Sequence, residues 1–144
     1  MGKVIELIQL DTFDCNRHAE KVRVWLSRPH VNRWWGDGRQ AMEHVLKCPP
    51  ESHAIIVADG TPLGYLCWQK LSPAGLRDSG LSDLPQELVD IDILIGEPRM
   101  LGRGVGSKAL MLLLEKLRRS SSFSHAGLGT SVSNLPAIKA FRKA

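Results

Sequence analysis

The spacing of apolar and polar residues changes period along this chain, and each change marks an element. Residues 4–10 alternate as a strand does. Residues 14–26 carry a helical repeat, with Asp11, Thr12 or Asp14 available to cap its start, and Pro29 ends it. Residues 32–38 read as an aromatic loop, and residues 40–48 as a short helix stopped by Pro49-Pro50. Residues 52–58 form an apolar strand, Asp59-Gly60 is a hairpin signal, and residues 63–71 are the returning strand. Residues 72–86 are rich in Gly, Pro, Ser and Asp and read as a loop with room for one helical turn. The central strand spans 87–95, and a helix spans 108–119 before Ser120-Ser121-Ser122 breaks it. Residues 126–132 are strand-like, and a second helix opens at Ser133. The order is mixed α/β, a hairpin ahead of a strand–loop–helix–strand unit.

At 144 residues the chain is long enough to bury one core without staples, and it reads as a single domain over residues 1–144. No apolar run reaches membrane-spanning length, and no secretory signal pattern opens the chain. No membrane is therefore expected as a partner, and nucleic acid is not expected either, because basic–aromatic interleaving is absent. Cys15, Cys48 and Cys67 are odd in number and widely spaced. They make neither a metal pattern nor a disulfide framework, so each is expected to be a small buried apolar residue in a reducing cytoplasm. The histidines show no metal spacing, and no metal is expected.

Charge is divided unevenly. Residues 1–98 carry ten Lys and Arg against fourteen Asp and Glu, whereas residues 99–144 carry nine against the single Glu115. The basic half surrounds a glycine-rich turn, Arg99-Met100-Leu101-Gly102-Arg103-Gly104-Val105-Gly106-Ser107, set between the central strand and the following helix. Backbone N–H groups in such a turn, with the positive end of the helix behind them, suit a phosphate or pyrophosphate. The glycine spacing is wrong for a dinucleotide fold, and Gly106-Ser107-Lys108 has the wrong order for a triphosphatase loop. An acidic cofactor fits the basic half, and a cationic substrate fits the acidic half.

Arg99-Met100-Leu101-Gly102-Arg103-Gly104 fits the pattern Arg/Gln-x-x-Gly-x-Gly/Ala. It resembles the acetyl-CoA pyrophosphate loop of the GNAT superfamily of N-acetyltransferases. Asp92 on the preceding strand, Ser133-Asn134-Leu135-Pro136-Ala137-Ile138 and Phe141-Arg142-Lys143-Ala144 extend the match. Trp25-Leu26-Ser27-Arg28-Pro29-His30-Val31 and Trp34-Trp35-Gly36 resemble the aminoglycoside 6'-N-acetyltransferase branch, which shares this opening with siderophore-pathway N-acyltransferases. The resemblance covers residues 20–144. It implies a mixed, mostly antiparallel central sheet flanked by helices.

The resemblance also implies roles. The turn from Arg99 through Ser107, including Leu101, Gly102, Arg103, Gly104, Val105 and Gly106, would hold coenzyme A. An amide of the central strand, that of Ile93 or Leu94, would face the thioester carbonyl. Asn134 matches the family asparagine that bonds the cofactor arm, although it also suits a helix N-cap. Trp34 and Trp35 would wall the acceptor site. Asp92 is the candidate general base, since a carboxylate in an apolar strand is poorly solvated and a better proton acceptor near neutral pH. Strict alternation also permits it to face solvent. Asp90 has the same facing and would share that role or bind a cationic group of the substrate. Asp78 and Asp83 ahead of the strand, and Glu87 at its start, are candidates for contact with a polyamine-like substrate. His30 reads as a structural loop residue. Phe141 departs from the family, where a tyrosine stands to protonate the leaving thiolate.

The expected activity is transfer of acetyl from acetyl-CoA to a primary amine of an aminoglycoside or amino sugar. The alternatives are acylation of a hydroxylysine-type siderophore precursor and a non-catalytic acyl-CoA-binding module. Family members run on past a Lys-x-Gly-Phe turn into two more strands, and this chain stops at Ala144 inside the matching helix. The expectation is a C-terminally truncated sheet ending at residues 126–132, with an open edge that invites homo-oligomers.

Overall fold

The computed structural model describes residues 5, 7–70, 73–78, 80, 88–120 and 125–127. One five-stranded sheet organises them, in the order β1 (Ile8–Thr12), β2 (His53–Ala58), β3 (Thr61–Lys70), β4 (Leu88–Ile95) and β5 (His125–Gly127). The first three pairings are antiparallel and β4–β5 is parallel. Five helices accompany it: α1 (Cys15–Ser27), α2 (Pro29–Trp35), α3 (Gly38–Lys47), α4 (Pro73–Asp78) and α5 (Val105–Ser120). This is the mixed, mostly antiparallel sheet that the sequence implies.

The hairpin turns where Asp59-Gly60 stands. Both residues have positive φ, 48° and 82°, as a type I′ turn requires. The turn is also pinned at its back, because the Leu7 N–H donates to Asp59 Oδ1 at 2.7 Å and the Asp59 N–H to the Leu7 carbonyl at 2.8 Å. All of β2 is buried, so both faces of the sheet are covered. Ala54, Ile56, Leu66, Trp68, Val89 and Ile91 pack on one face with Val105, Ala109, Leu110, Leu113 and Leu117 of α5. Ile55, Val57, Tyr65, Cys67 and Leu94 pack on the other with Val22, Trp25 and Leu26 of α1, Val31 of α2, and Met42 and Val45 of α3. Alternation on β4 therefore sends Asp90 and Asp92 to the α1–α3 side.

Several boundaries differ from the sequence reading. Of the three capping candidates, Asp14 serves, accepting from the Asn16 N–H at 2.9 Å. Pro29 ends α1 and in the same step begins α2, because its fixed φ suits a first helical position. The segment expected as an aromatic loop is therefore mostly helix, and it stops at Gly36, whose φ is 78°. Asp37 caps α3 by accepting from the Arg39 N–H at 2.8 Å. The single turn allowed in the long loop is α4. The helix expected from residue 108 starts at Val105, so the last three residues of the glycine-rich segment form its first turn. Cys15 is exposed and Cys48 half-buried, against the expectation that all three thiols are buried. No helix of the described residues is long and apolar enough to cross a membrane.

Candidate functional site

The glycine-rich turn sits at the end of β4 as expected. A short 3-10 turn, Pro98–Met100, leads into it, and Gly102 and Gly104 follow with φ of 74° and 80°. Side chains rarely adopt that conformation, and a Cβ on either residue would meet nothing within 4 Å. These two glycines are thus required by backbone shape, and the space beside them is open. The Lys108 N–H donates to the Gly104 carbonyl at 3.0 Å, which makes Gly104 the residue preceding the first helical turn. The N–H groups of Val105 and Gly106 then lack an intrahelical acceptor, and the helix adds its partial positive charge there. Arg99, Leu101 and Arg103 are exposed around this turn, while Val105 and Ser107 are buried. An anion with several oxygens fits this arrangement.

The backbone of β4 presents alternate groups to its two sides. The Gly96 N–H donates to the Leu63 carbonyl of β3 at 2.7 Å, and the Leu94 carbonyl points at Gly64 of β3. Alternation turns the backbone of Ile93 and Ile95 to the opposite edge. Of the two amides named from the sequence, that of Ile93 faces this edge and that of Leu94 faces β3. The last described β4–β5 pair is Asp90–Gly127, so Ile93 and Ile95 lie past it.

Three side chains from the α1–α2 segment reach that end of β4. Trp35 Nε1 donates to the Ile93 carbonyl at 3.3 Å, His30 Nε2 to the Ile95 carbonyl at 2.8 Å, and Arg28 Nη1 to the Gly96 carbonyl at 2.9 Å. Arg28 also pairs with Glu97 at 2.9 Å and holds its carboxyl below the usual carboxylate range. His30 is thus a structural residue, though on a helix and not a loop. Trp35 is half-buried beside the strand, and the neighbouring Trp34 carries the Arg33 guanidinium 4.7 Å from its ring centre. Sequence reasoning passed over Arg28, and its place directly before Pro29 gave only a weak signal.

Asp92 is half-buried on the α1–α3 side, not solvent-facing. Burial pushes its carboxyl above the usual range, Asp90 adds to this, and His44 opposes it. Asp90 is likewise raised by burial, with Gln69 and His44 acting the other way. The Cys67 thiol donates to Asp92 Oδ2 at 3.9 Å. Burial of this kind makes a carboxylate a stronger proton acceptor than it is in water. Asp78 is exposed at the end of α4. Asn134, Phe141, Asp83, Glu87 and the chain's expected last helix lie outside the described residues, as do residues 128–132 of the expected edge strand.

Comparison with known proteins gives the same frame. The family model described as "Acetyltransferase (GNAT) domain" matches residues 14–144. Two aminoglycoside N(6')-acetyltransferases type 1, from Klebsiella pneumoniae and Serratia marcescens, are each 29% identical over 83% of this chain. The chain spans 64% of the length of those relatives. A solved structure of AAC(6')-Ib in complex with paromomycin and acetyl-CoA superposes with a TM-score of 0.76 at 26% identity, over 96% of this chain and 82% of that one. With the family model matching nearly the whole sequence, the chain belongs to the GNAT acetyltransferase domain family.

Proposed function

We propose that this protein transfers an acetyl group from acetyl-CoA to a primary amine of an aminoglycoside or amino sugar. The observation that carries the reading is the conjunction at the end of β4. An open, positively polarised glycine turn lies next to a strand edge with outward-facing backbone, and a half-buried carboxyl stands on one face of that strand. Relatives 29% identical to this chain are named for aminoglycoside acetylation, and structures of a related protein are complexes with coenzyme A and kanamycin or ribostamycin.

The parts divide the chemistry. Acetyl-CoA would supply the activated thioester, and as the amide C–N bond forms the C–S bond breaks and coenzyme A leaves as its thiolate. The turn from Arg99 to Ser107 receives its pyrophosphate through backbone N–H groups. The Ile93 amide supplies a hydrogen bond where negative charge develops on the acyl oxygen. Asp92 takes the amine proton, and Asp90 lies two residues away on the same face to attract a cationic acceptor. Trp34 and Trp35 wall the acceptor side. The three cysteines are free among the described residues, which accords with a cytoplasmic setting.

The decisive experiment measures free thiol released from acetyl-CoA with kanamycin, ribostamycin and a panel of simple amines. Turnover with the amino sugars and none with the simple amines is the expected result. Tight acetyl-CoA binding with no turnover on any amine would overturn the catalytic reading and leave a binding module.

A further inference from the structure

We infer that His44, Cys48 and Cys67 form a binding site for a thiophilic cation, zinc(II) foremost. The nitrogen and sulfur atoms they offer all lie within 4.8 Å of one another. His44 and Cys48 are four residues apart at the end of α3, so one helical turn stacks them on one face. Cys67 comes from β3, more than a turn of sequence away, and is brought against them by the packing of α3 on the sheet. The Cys67 Sγ to His44 Nε2 distance is 3.9 Å. A zinc ion bound at roughly 2.3 Å to sulfur and roughly 2.0 Å to nitrogen needs tetrahedral edges of about 3.6–3.8 Å. The three side chains are therefore within a small adjustment of ligating geometry.

The chemistry of the surroundings favours a cation. Two thiolates and one imidazole are soft and borderline ligands, which select zinc over magnesium or calcium. Asp90 and Asp92 place negative charge nearby. The Tyr65 hydroxyl, in the same buried cluster as Cys67, is 2.9 Å from His53 Nδ1. Exposure grades from exposed His44 through half-buried Cys48 to buried Cys67, which leaves a way in from solvent. The site does not rest on the acetyltransferase reading. An ion there would tie α3 to β3.

The test is cobalt(II) titration of the reduced, full chain, followed by zinc competition. The expected result is one equivalent of cobalt with a thiolate-to-metal charge-transfer band and tetrahedral d–d absorption, both erased by zinc. Zinc should also raise Tm. Cys15→Ser, which alters an exposed thiol on α1, should keep both responses. Cys48→Ser and His44→Gln, at positions that are not fully buried, should lose the charge-transfer band or weaken binding at least tenfold while circular dichroism shows a folded protein. Absence of the band in the wild-type protein, or its survival unchanged in folded Cys48→Ser and Cys67→Ala, would overturn the assignment.

Discussion

Replacing Gly96 by alanine adds one carbon at the end of β4 where no space exists for it. Gly96 does not have the left-handed conformation that favours glycine, so the substitution brings no backbone strain of that kind. What it brings is a collision. The new Cβ would fall against Cγ, Cδ1 and Cδ2 of Trp25, well inside the 3.0 Å that real Cβ atoms essentially never cross. Trp25 is 1% exposed and packed among Val22, Leu26 and Leu94, so its ring has nowhere nearby to go. Two responses bound the cost. If the ring holds, β4 must move, and overpacking of this kind costs about 1–3 kcal/mol. If the ring is expelled, the loss approaches that of deleting a buried tryptophan, about 3–5 kcal/mol. A destabilisation of about 3 kcal/mol is expected, measured as a lower urea midpoint at unchanged m. Movement of β4 would also pull the Gly96 N–H from the Leu63 carbonyl and the Gly96 carbonyl from Arg28. A second substitution tests the cause. Trp25→Leu in the Gly96→Ala background should recover part of that loss, giving a favourable interaction energy in the double-mutant cycle. A Gly96→Ala protein within about 0.5 kcal/mol of wild type, the usual range of an inconsequential change, would refute the steric argument.

Other outcomes follow from the same geometry. Gly104→Val forces a β-branched residue to a φ of 80° and fills the open space beside the turn, so calorimetry should show coenzyme A affinity largely lost in a protein that remains folded. Asp92→Asn should lower acetyl transfer by about 100-fold or more while cofactor binding persists. The same substitution should raise stability at neutral pH. A carboxyl raised by burial contributes stability below its unfolded value of 3.8 and loses it as pH rises through the folded value, and asparagine removes that loss. His18 works in the other sense: burial lowers its pKa from 6.5, so the stability it contributes is present above that value and lost on acidification below it. Its Nδ1 accepts from the Asp14 N–H at 2.9 Å, and His18→Gln should flatten the fall of Tm below pH 6.5.

What could be read from the sequence was local. The Asp59-Gly60 turn and the apolar run of β2 each announce themselves within a few residues, whereas the cap of α1 stayed open among Asp11, Thr12 and Asp14 until the structure placed Asp14 there. Helix α2 did not, because Pro29 is compatible both with ending one helix and with starting another, and only the tertiary path chooses between them. The turn of Gly102 and Gly104 was legible because positive φ restricts the residue type. The facing of Asp92 was not, since alternation allows either side of a strand and burial depends on where α3 packs. The choice between Ile93 and Leu94 was closed to sequence for a similar reason, as it depends on the register with β3. The nearness of His44 and Cys48 to Cys67 comes from helix-on-sheet packing, and no spacing in the chain encodes it.

The contacts of Arg28, His30 and Trp35 with β4 join sequence positions more than fifty residues apart, and they share one chemical property. Each reaches the strand with an N–H donor. Donors can satisfy only carbonyls, so these side chains fix the strand by its acceptors and compete for none of its amides. Ile93 shows the result most directly, with its carbonyl held by Trp35 and its N–H turned toward the same edge. These three contacts therefore take up none of the amides that the proposed charge stabilisation on an acyl oxygen needs. Glutamine in place of His30 could preserve this logic by donating to the Ile95 carbonyl. Glutamate could not, because an ionised carboxylate offers only acceptors, and it would face a carbonyl across the same gap. His30→Glu should therefore impair acetyl transfer more than His30→Gln when both proteins are folded, as read by thiol release at neutral pH. Equal rates in the two variants would show that donor character at this position has no part in shaping the strand edge.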